Sequence, residues 1–170
     1  GAFHESLNMA ALWKLPVIYI VENNRFGMGT AIERSSAIYD VAQRACAYDM
    51  ASETVDGMDV LAIRDVIGRA VDLARRENLP TLIEARCYRF MGHSMSDPVH
   101  GHYRTKEEVE GQKQQDPIKQ YFEYLKTAGL ATQALLEELD RKARAVTEQA
   151  VQFAEASPEP SADELYQDVY

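Results

Sequence analysis

The chain has 170 residues and carries 18 Lys and Arg against 27 Asp and Glu, a formal charge of -9. That balance excludes a nucleic-acid binder, because neutralising phosphates needs clustered basic residues and none are clustered here. It contains no membrane-length apolar run and no secretory or transit pattern, and its length can bury one domain's core.

The first predicted element is a helix over Phe3 to Lys14, with apolar residues at Phe3, Leu7, Ala10, Ala11 and Trp13 and a stop at Pro16. Val17 to Val21 follows as an unbroken β-branched and aromatic run, which predicts a parallel strand covered on both faces. The run ends in Asn23-Asn24-Arg25-Phe26-Gly27-Met28-Gly29. Ligands of open parallel sheets bind just beyond the carboxyl ends of strands, and an amide oxygen there is a neutral hard donor for Mg2+ or Ca2+. The same residues also make ordinary turns. Gly27 and Gly29 would allow a sharp turn and close approach to a ligand.

Thr30 to Asp40 has no clean period and reads as a loop across the site mouth, before a short helix over Val41 to Tyr48. Val55-Asp-Gly-Met-Asp59 is a turn. A helix over Val60 to Arg76 presents Leu61, Val66, Ile67, Ala70, Val71 and Ala74 on one face, and Pro80 to Arg86 is a second strand. This alternation implies an α/β fold with a doubly wound parallel sheet, of which only the later strands are present.

Met91 to Tyr103 is rich in Gly, His, Ser and Asp and is long enough to be a functional loop. Thr105-Lys-Glu-Glu108 is a capping box; Asp116-Pro117 begins a further helix that Gly129 ends. Thr132 opens a long last helix with Leu135, Leu139, Val146, Ala150 and Phe153 on one stripe, which suits core packing or a subunit contact. Ser157-Pro-Glu-Pro-Ser is a polar stop before a tail that runs to Tyr170. Cys46 and Cys87 lie far apart, without zinc spacing, and read as two buried thiols in a reducing compartment.

In chain order, Gly1 to Pro16, Glu22 to Thr30, Val55 to Asp59, Tyr88-Arg-Phe-Met-Gly-His-Ser-Met-Ser-Asp-Pro98 and Tyr103 to Glu108 resemble the α subunits of the pyruvate dehydrogenase first component, a thiamine-diphosphate-dependent decarboxylase. The resemblance covers nearly the whole chain. It implies that Gly1 lies inside a domain, just after a Gly-Asp-Gly turn, so that the chain is the C-terminal part of a longer subunit. Residues 1–104 would then be the second part of a thiamine diphosphate-binding α/β domain including an active-site loop, 89–104. Residues 105–170 would be a C-terminal helical segment packed on the same domain.

The same resemblance implies thiamine diphosphate and Mg2+ as cofactors, with Asn24 and the carbonyl of Phe26 as metal ligands and the anionic ligand upstream of Gly1. Asn23 would cap the turn. His93 would lie near the cofactor diphosphate and act in catalysis, although a loop histidine is often merely solvated. Arg89 and Asp97 would order its loop, their plainer reading being a surface ion pair. Ser94 matches a position of inhibitory phosphorylation in mitochondrial members. Ala31, Met91, His102 and the longer loop Val99-His-Gly-His depart from those members and look bacterial, which implies the cytoplasm rather than the mitochondrial matrix. His100 and His102 read as solvated.

The implied partners are a β subunit in an α2β2 heterotetramer, which supplies the rest of the site, and a lipoyl-bearing dihydrolipoyl acetyltransferase. The run His93 to Pro98 resembles the subfamily acting on pyruvate. The alternatives are a branched-chain 2-oxo acid dehydrogenase α subunit and a non-catalytic assembly or regulatory module of the same fold. By itself the chain is expected to be inactive.

Overall fold

The computed structural model describes residues 1–168; Val169 and Tyr170, which end the predicted tail, lie outside the described residues. Two compact units divide the chain, Gly1–Tyr121 and Phe122–Tyr170.

The first unit is an α/β layer structure around a small parallel sheet. It contains α1 (Ala2–Leu12), β1 (Ile18–Asn23), a two-residue hairpin of β2 (Phe26–Gly27) and β3 (Thr30–Ala31), the short α2 (Ile32–Ser35), a 3-10 helix over Val41–Tyr48, β4 (Ala51–Asp56), α3 (Val60–Glu77), β5 (Thr81–Arg86) and α4 (Lys106–Lys113). Strand order is β1-β5-β4, with β5 parallel to both neighbours; Ile18 and Ala51 both align with Thr81, and Asn23 and Asp56 with Arg86.

Alternation along β5 sends its side chains to two cores. Leu82 packs with Leu7 of α1, Ala45 of the 3-10 segment and Met50 just after it, while Ile83 and Ala85 pack with Val55, Val66 and Ala70 from β4 and α3. Helical segments thus cover both faces, as a doubly wound arrangement requires. Each fully buried aliphatic side chain in these clusters contributes about 1.5–3 kcal/mol relative to exposure.

The sheet and the cysteines depart from expectation. The strand covered on both faces is β5, whereas β1 is a sheet edge among the described residues and leaves Ile20 52% exposed. β4 went unpredicted because Ala-Ser-Glu-Thr-Val-Asp has no apolar run; on an edge, only Val55 is buried. Cys46 is exposed, and Cys87 is half-buried, its thiol pushed up first by burial and then by Glu22.

Caps follow local chemistry. Asp59 accepts the N–H groups of Leu61 and Ala62 at the start of α3, and Asn78 ends that helix in the left-handed conformation. Thr105 accepts the Glu108 N–H at 3.1 Å, but the Glu108 carboxylate accepts from the Tyr88 hydroxyl at 3.0 Å rather than closing the box.

Asp116 accepts the N–H of Ile118 at the start of α5 (Pro117–Thr127), and Gly129 follows that helix at φ +68. The second unit holds α6 (Gln133–Ala156), capped by Thr132, and a 3-10 turn over Ala162–Tyr166 in the tail. The α6 stripe is not core in this chain: Leu135, Leu139, Val146, Ala150 and Phe153 are exposed, and Leu136 beside them is the buried residue of the helix.

Candidate functional site

The carboxyl end of β1 runs into a shallow cleft of about 220 Å³ lined by residues 21–27 with Ile32 and Ser35. A larger cavity of about 510 Å³, walled by Leu12, Cys46, Asp49 and Pro80, lies among the turns that precede β4 and β5. Parallel sheets bind ligands at the carboxyl ends, so the cleft at the paired amides is the candidate site.

Two consecutive side-chain turns shape it. Asn23 Oδ1 accepts the N–H of Arg25 at 2.9 Å, and Asn24 Oδ1 accepts the N–H of Phe26 at 3.0 Å. Arg25 between them adopts φ +63, uncommon for a residue with a Cβ, and its guanidinium pairs with Glu33. Its carbonyl accepts the Ile32 N–H at 2.8 Å, and Phe26 faces Ala31 in the hairpin. In this antiparallel register Phe26 occupies the non-hydrogen-bonded position, so the ladder does not use its carbonyl. Gly27 and Gly29 are not the residues with positive φ; Met28 is, at +56. Gly29 serves a different purpose, because a Cβ there would lie 2.9 Å from the Tyr103 ring.

Behind the turn lies a group that the sequence reading missed. Glu84 is fully buried on β5; Oε1 accepts from Asn23 Nδ2 at 2.8 Å and Oε2 from the Ala42 N–H at 2.9 Å. Arg86 Nε lies 3.4 Å from Glu84, and the same guanidinium pairs with Asp40. Burial pushes the Glu84 carboxyl up, but the Ala42 N–H, the Asn23 amide and Arg86 outweigh it and hold it below the ordinary glutamate range. A carboxylate inside an apolar strand, Thr81-Leu-Ile-Glu-Ala-Arg, was the available signal, since a buried charge must find partners.

The second cluster is the loop 89–104. Asp97 Oδ2 accepts the His93 N–H at 2.7 Å and the Tyr103 hydroxyl at 2.6 Å, which hold its carboxyl below the ordinary range. Arg89 donates to the Tyr103 hydroxyl at 2.8 Å, to the Met91 carbonyl at 3.1 Å and to the Met28 carbonyl at 3.0 Å, and stands 3.9 Å from Asp97. Arg104, 4% exposed, donates to the carbonyls of Arg89 and Met91 and stacks 4.9 Å over Tyr103.

His93 and Ser94 are exposed, and the Ser94 hydroxyl meets that of Ser96 at 3.1 Å. Neither residue is hydrogen-bonded to Asn24 or Phe26 among the described residues. The link is one residue removed: Tyr103 packs on Phe26 with ring centroids 5.4 Å apart and binds Asp97.

The donor chemistry suits a hard cation in part. Asn24 Oδ1 keeps a lone pair beyond the one facing Phe26, and the Phe26 carbonyl is a second neutral oxygen. Among the described residues no three His, Cys, Asp or Glu side chains gather as ligands.

The model of the family described as "Dehydrogenase E1 component" matches residues 1–163. Among curated proteins, the chain is 45% identical over 170 residues to the pyruvate dehydrogenase E1 component subunit alpha of Rhizobium meliloti (strain 1021), covering 99% of this chain and 48% of that protein. The subunit of the same name from Porphyra purpurea is 44% identical over 165 residues, covering 97% and 47%. The chloroplastic subunit alpha-3 of Oryza sativa subsp. japonica is 40% identical over 170 residues, covering 100% and 40%. The chain spans about half the length or less of these relatives.

Proposed function

The chain belongs to the dehydrogenase E1 component family, and on that premise we propose that it is part of the α subunit of a pyruvate dehydrogenase decarboxylase. The enzyme would use thiamine diphosphate and Mg2+ to decarboxylate pyruvate oxidatively and pass the acetyl group to the lipoyl arm of a dihydrolipoyl acetyltransferase. The carrying observation is the Asn24-Arg25-Phe26 turn at the carboxyl end of β1, with one amide oxygen and one carbonyl outside the hairpin ladder.

Bound thiamine diphosphate supplies the carbon nucleophile that cleaves 2-oxo acids. In this reading, the protein residues bind, orient and protonate. Asn24 Oδ1 and the Phe26 carbonyl would hold the Mg2+, whose charge would neutralise the diphosphate. His93, on a loop tied down by Asp97 and Arg89, would serve near the diphosphate as a proton donor or acceptor. Ser94 beside it is a regulatory position, since a phosphate there would add nearly two negative charges next to a polyanion.

Residues 1–104 form the cofactor-binding part, with 89–104 as the active-site loop, and 105–170 a helical segment. A β subunit completes the site in an α2β2 heterotetramer, so the chain alone is inactive. The bacterial relatives favour a bacterial cytoplasm; no described helix is long and apolar enough to cross a membrane. The test is turnover by the full-length subunit with its β partner, an acetyltransferase and both cofactors. Pyruvate is expected to turn over fastest; a preference for branched-chain 2-oxo acids would move the chain to that subfamily, and no turnover of any 2-oxo acid would make it a non-catalytic module.

A further inference from the structure

Glu84 is a fully buried carboxylate with no part in the chemistry above, yet it stands directly behind the turn that carries Asn24 and Phe26. An ionised carboxylate can only accept hydrogen bonds. The Asn23 amide, 2.8 Å away, must therefore turn its NH2 toward Glu84, which leaves its oxygen facing the Arg25 N–H at 2.9 Å. Arg25 is the residue with φ +63, and such a conformation persists only where its surroundings enforce it.

We propose that Glu84 is a positioning residue for the cofactor metal site: by fixing which end of the Asn23 amide faces forward, it holds Arg25 in the left-handed turn that carries Asn24 and Phe26. This rests on the reading of Asn24 and Phe26 as ligands.

The other contacts of Glu84 fix which of its atoms must accept. Its second oxygen is occupied by the Ala42 N–H at 2.9 Å, and Arg86 balances its charge from 3.4 Å. A glutamine in place of Glu84 would offer one acceptor and one donor. With its oxygen on Ala42, its NH2 would meet the NH2 of Asn23. Asn23 would then flip, and its own NH2 would confront the Arg25 N–H. Adding Asn23→Asp in the same chain reverses the polarity: both aspartate oxygens accept, one from the introduced glutamine amide and one from the Arg25 N–H, and every link is restored with the donor and acceptor exchanged.

The experiment compares E84Q, N23D/E84Q and N24A in the full-length subunit assembled with its β partner. Two quantities are read: calorimetric affinity for thiamine diphosphate with Mg2+, and hydrogen exchange of the Arg25 amide without cofactor. E84Q is expected to bind on the order of tenfold more weakly, as when a group supporting a metal ligand is lost, and to expose the Arg25 amide. N23D/E84Q is expected to recover both.

Wild-type affinity and protection in E84Q, or a double variant as impaired as E84Q, would overturn the proposal by leaving Glu84 a packing anchor for Ala42. Should E84Q fail to assemble, the double variant decides alone: recovered affinity and protection support the proposal, and weak binding in an assembled double variant overturns it. N24A tests the ligand reading separately. Unchanged affinity in N24A beside a defective E84Q would remove Asn24 as a ligand while sustaining Glu84's control of the turn.

Discussion

The hydroxyl of Tyr103 donates to the carboxylate of Asp97 at 2.6 Å, and that carboxylate also holds the backbone N–H of His93. The loop carrying His93 is thereby fastened to a ring that packs on Phe26. Tyr103→Phe keeps the ring and removes the hydroxyl's bonds to Asp97 and Arg89. Each such bond has a charged partner and is worth about 1.5–3 kcal/mol. The expected result is faster hydrogen exchange of the His93 amide; unchanged exchange would show that Asp97 holds the loop without Tyr103.

Gly29 and Gly27 make an internal comparison within one hairpin. A methyl at Gly29 would press into the Tyr103 ring, whereas Gly27 has open space around it. Gly29→Ala should cost about 1–3 kcal/mol, as overpacking does, and Gly27→Ala should stay within about 0.5 kcal/mol. Thermal melting of both variants checks the order, and equal losses would contradict the packing assigned to Tyr103.

Acid stability should report on Glu84. Burial raises its carboxyl, yet the Ala42 N–H, Asn23 and Arg86 prevail, so its folded-state value lies below the unfolded one. The stabilisation it brings is complete above the ordinary glutamate value of about 4.3, and it is lost as pH falls through the lower folded value. Glu84→Gln removes that linkage and leaves one buried donor unpaired, at about 1–3 kcal/mol. Its unfolding free energy should be lower near neutrality and should fall less steeply in acid than that of the wild type. Parallel acid limbs would mean that Glu84 does not titrate with unfolding.

Where local signals were strong, the sequence was legible. The apolar periodicity of α3 and the strand begun by the Val17 to Val21 run follow from residue type. β4 did not, because an edge strand needs no apolar run, and neither did the exposure of the α6 stripe, which depends on what else is present to cover it. Within the site, Asn23 and Asn24 were readable as turn residues, whereas the support from Arg89 and Asp97 was implied by the family resemblance. Glu84 and Tyr103 were not readable, since their roles come from partners 61 and 6 residues away that only the fold brings near.

His93 is exposed and only its backbone is tied to Asp97, so removing the imidazole should leave folding nearly untouched. His93→Ala in the assembled enzyme should retain its melting temperature while acetyl transfer drops roughly 10²- to 10⁴-fold, the range for a lost acid-base group. Ser94→Glu should also slow turnover. Because the Ser94 and Ser96 hydroxyls touch, Ser96→Glu should act in the same direction. Full activity in His93→Ala would remove the catalytic role.

Whether the turn after β1 supplies oxygen ligands to the cofactor's metal is tested most directly by calorimetric titration of Mg2+ and thiamine diphosphate into the full-length αβ assembly carrying Asn24→Ala. Affinity should fall on the order of 10- to 100-fold while the apo assembly melts close to the wild-type temperature. Wild-type affinity in that variant would contradict the assignment of the site.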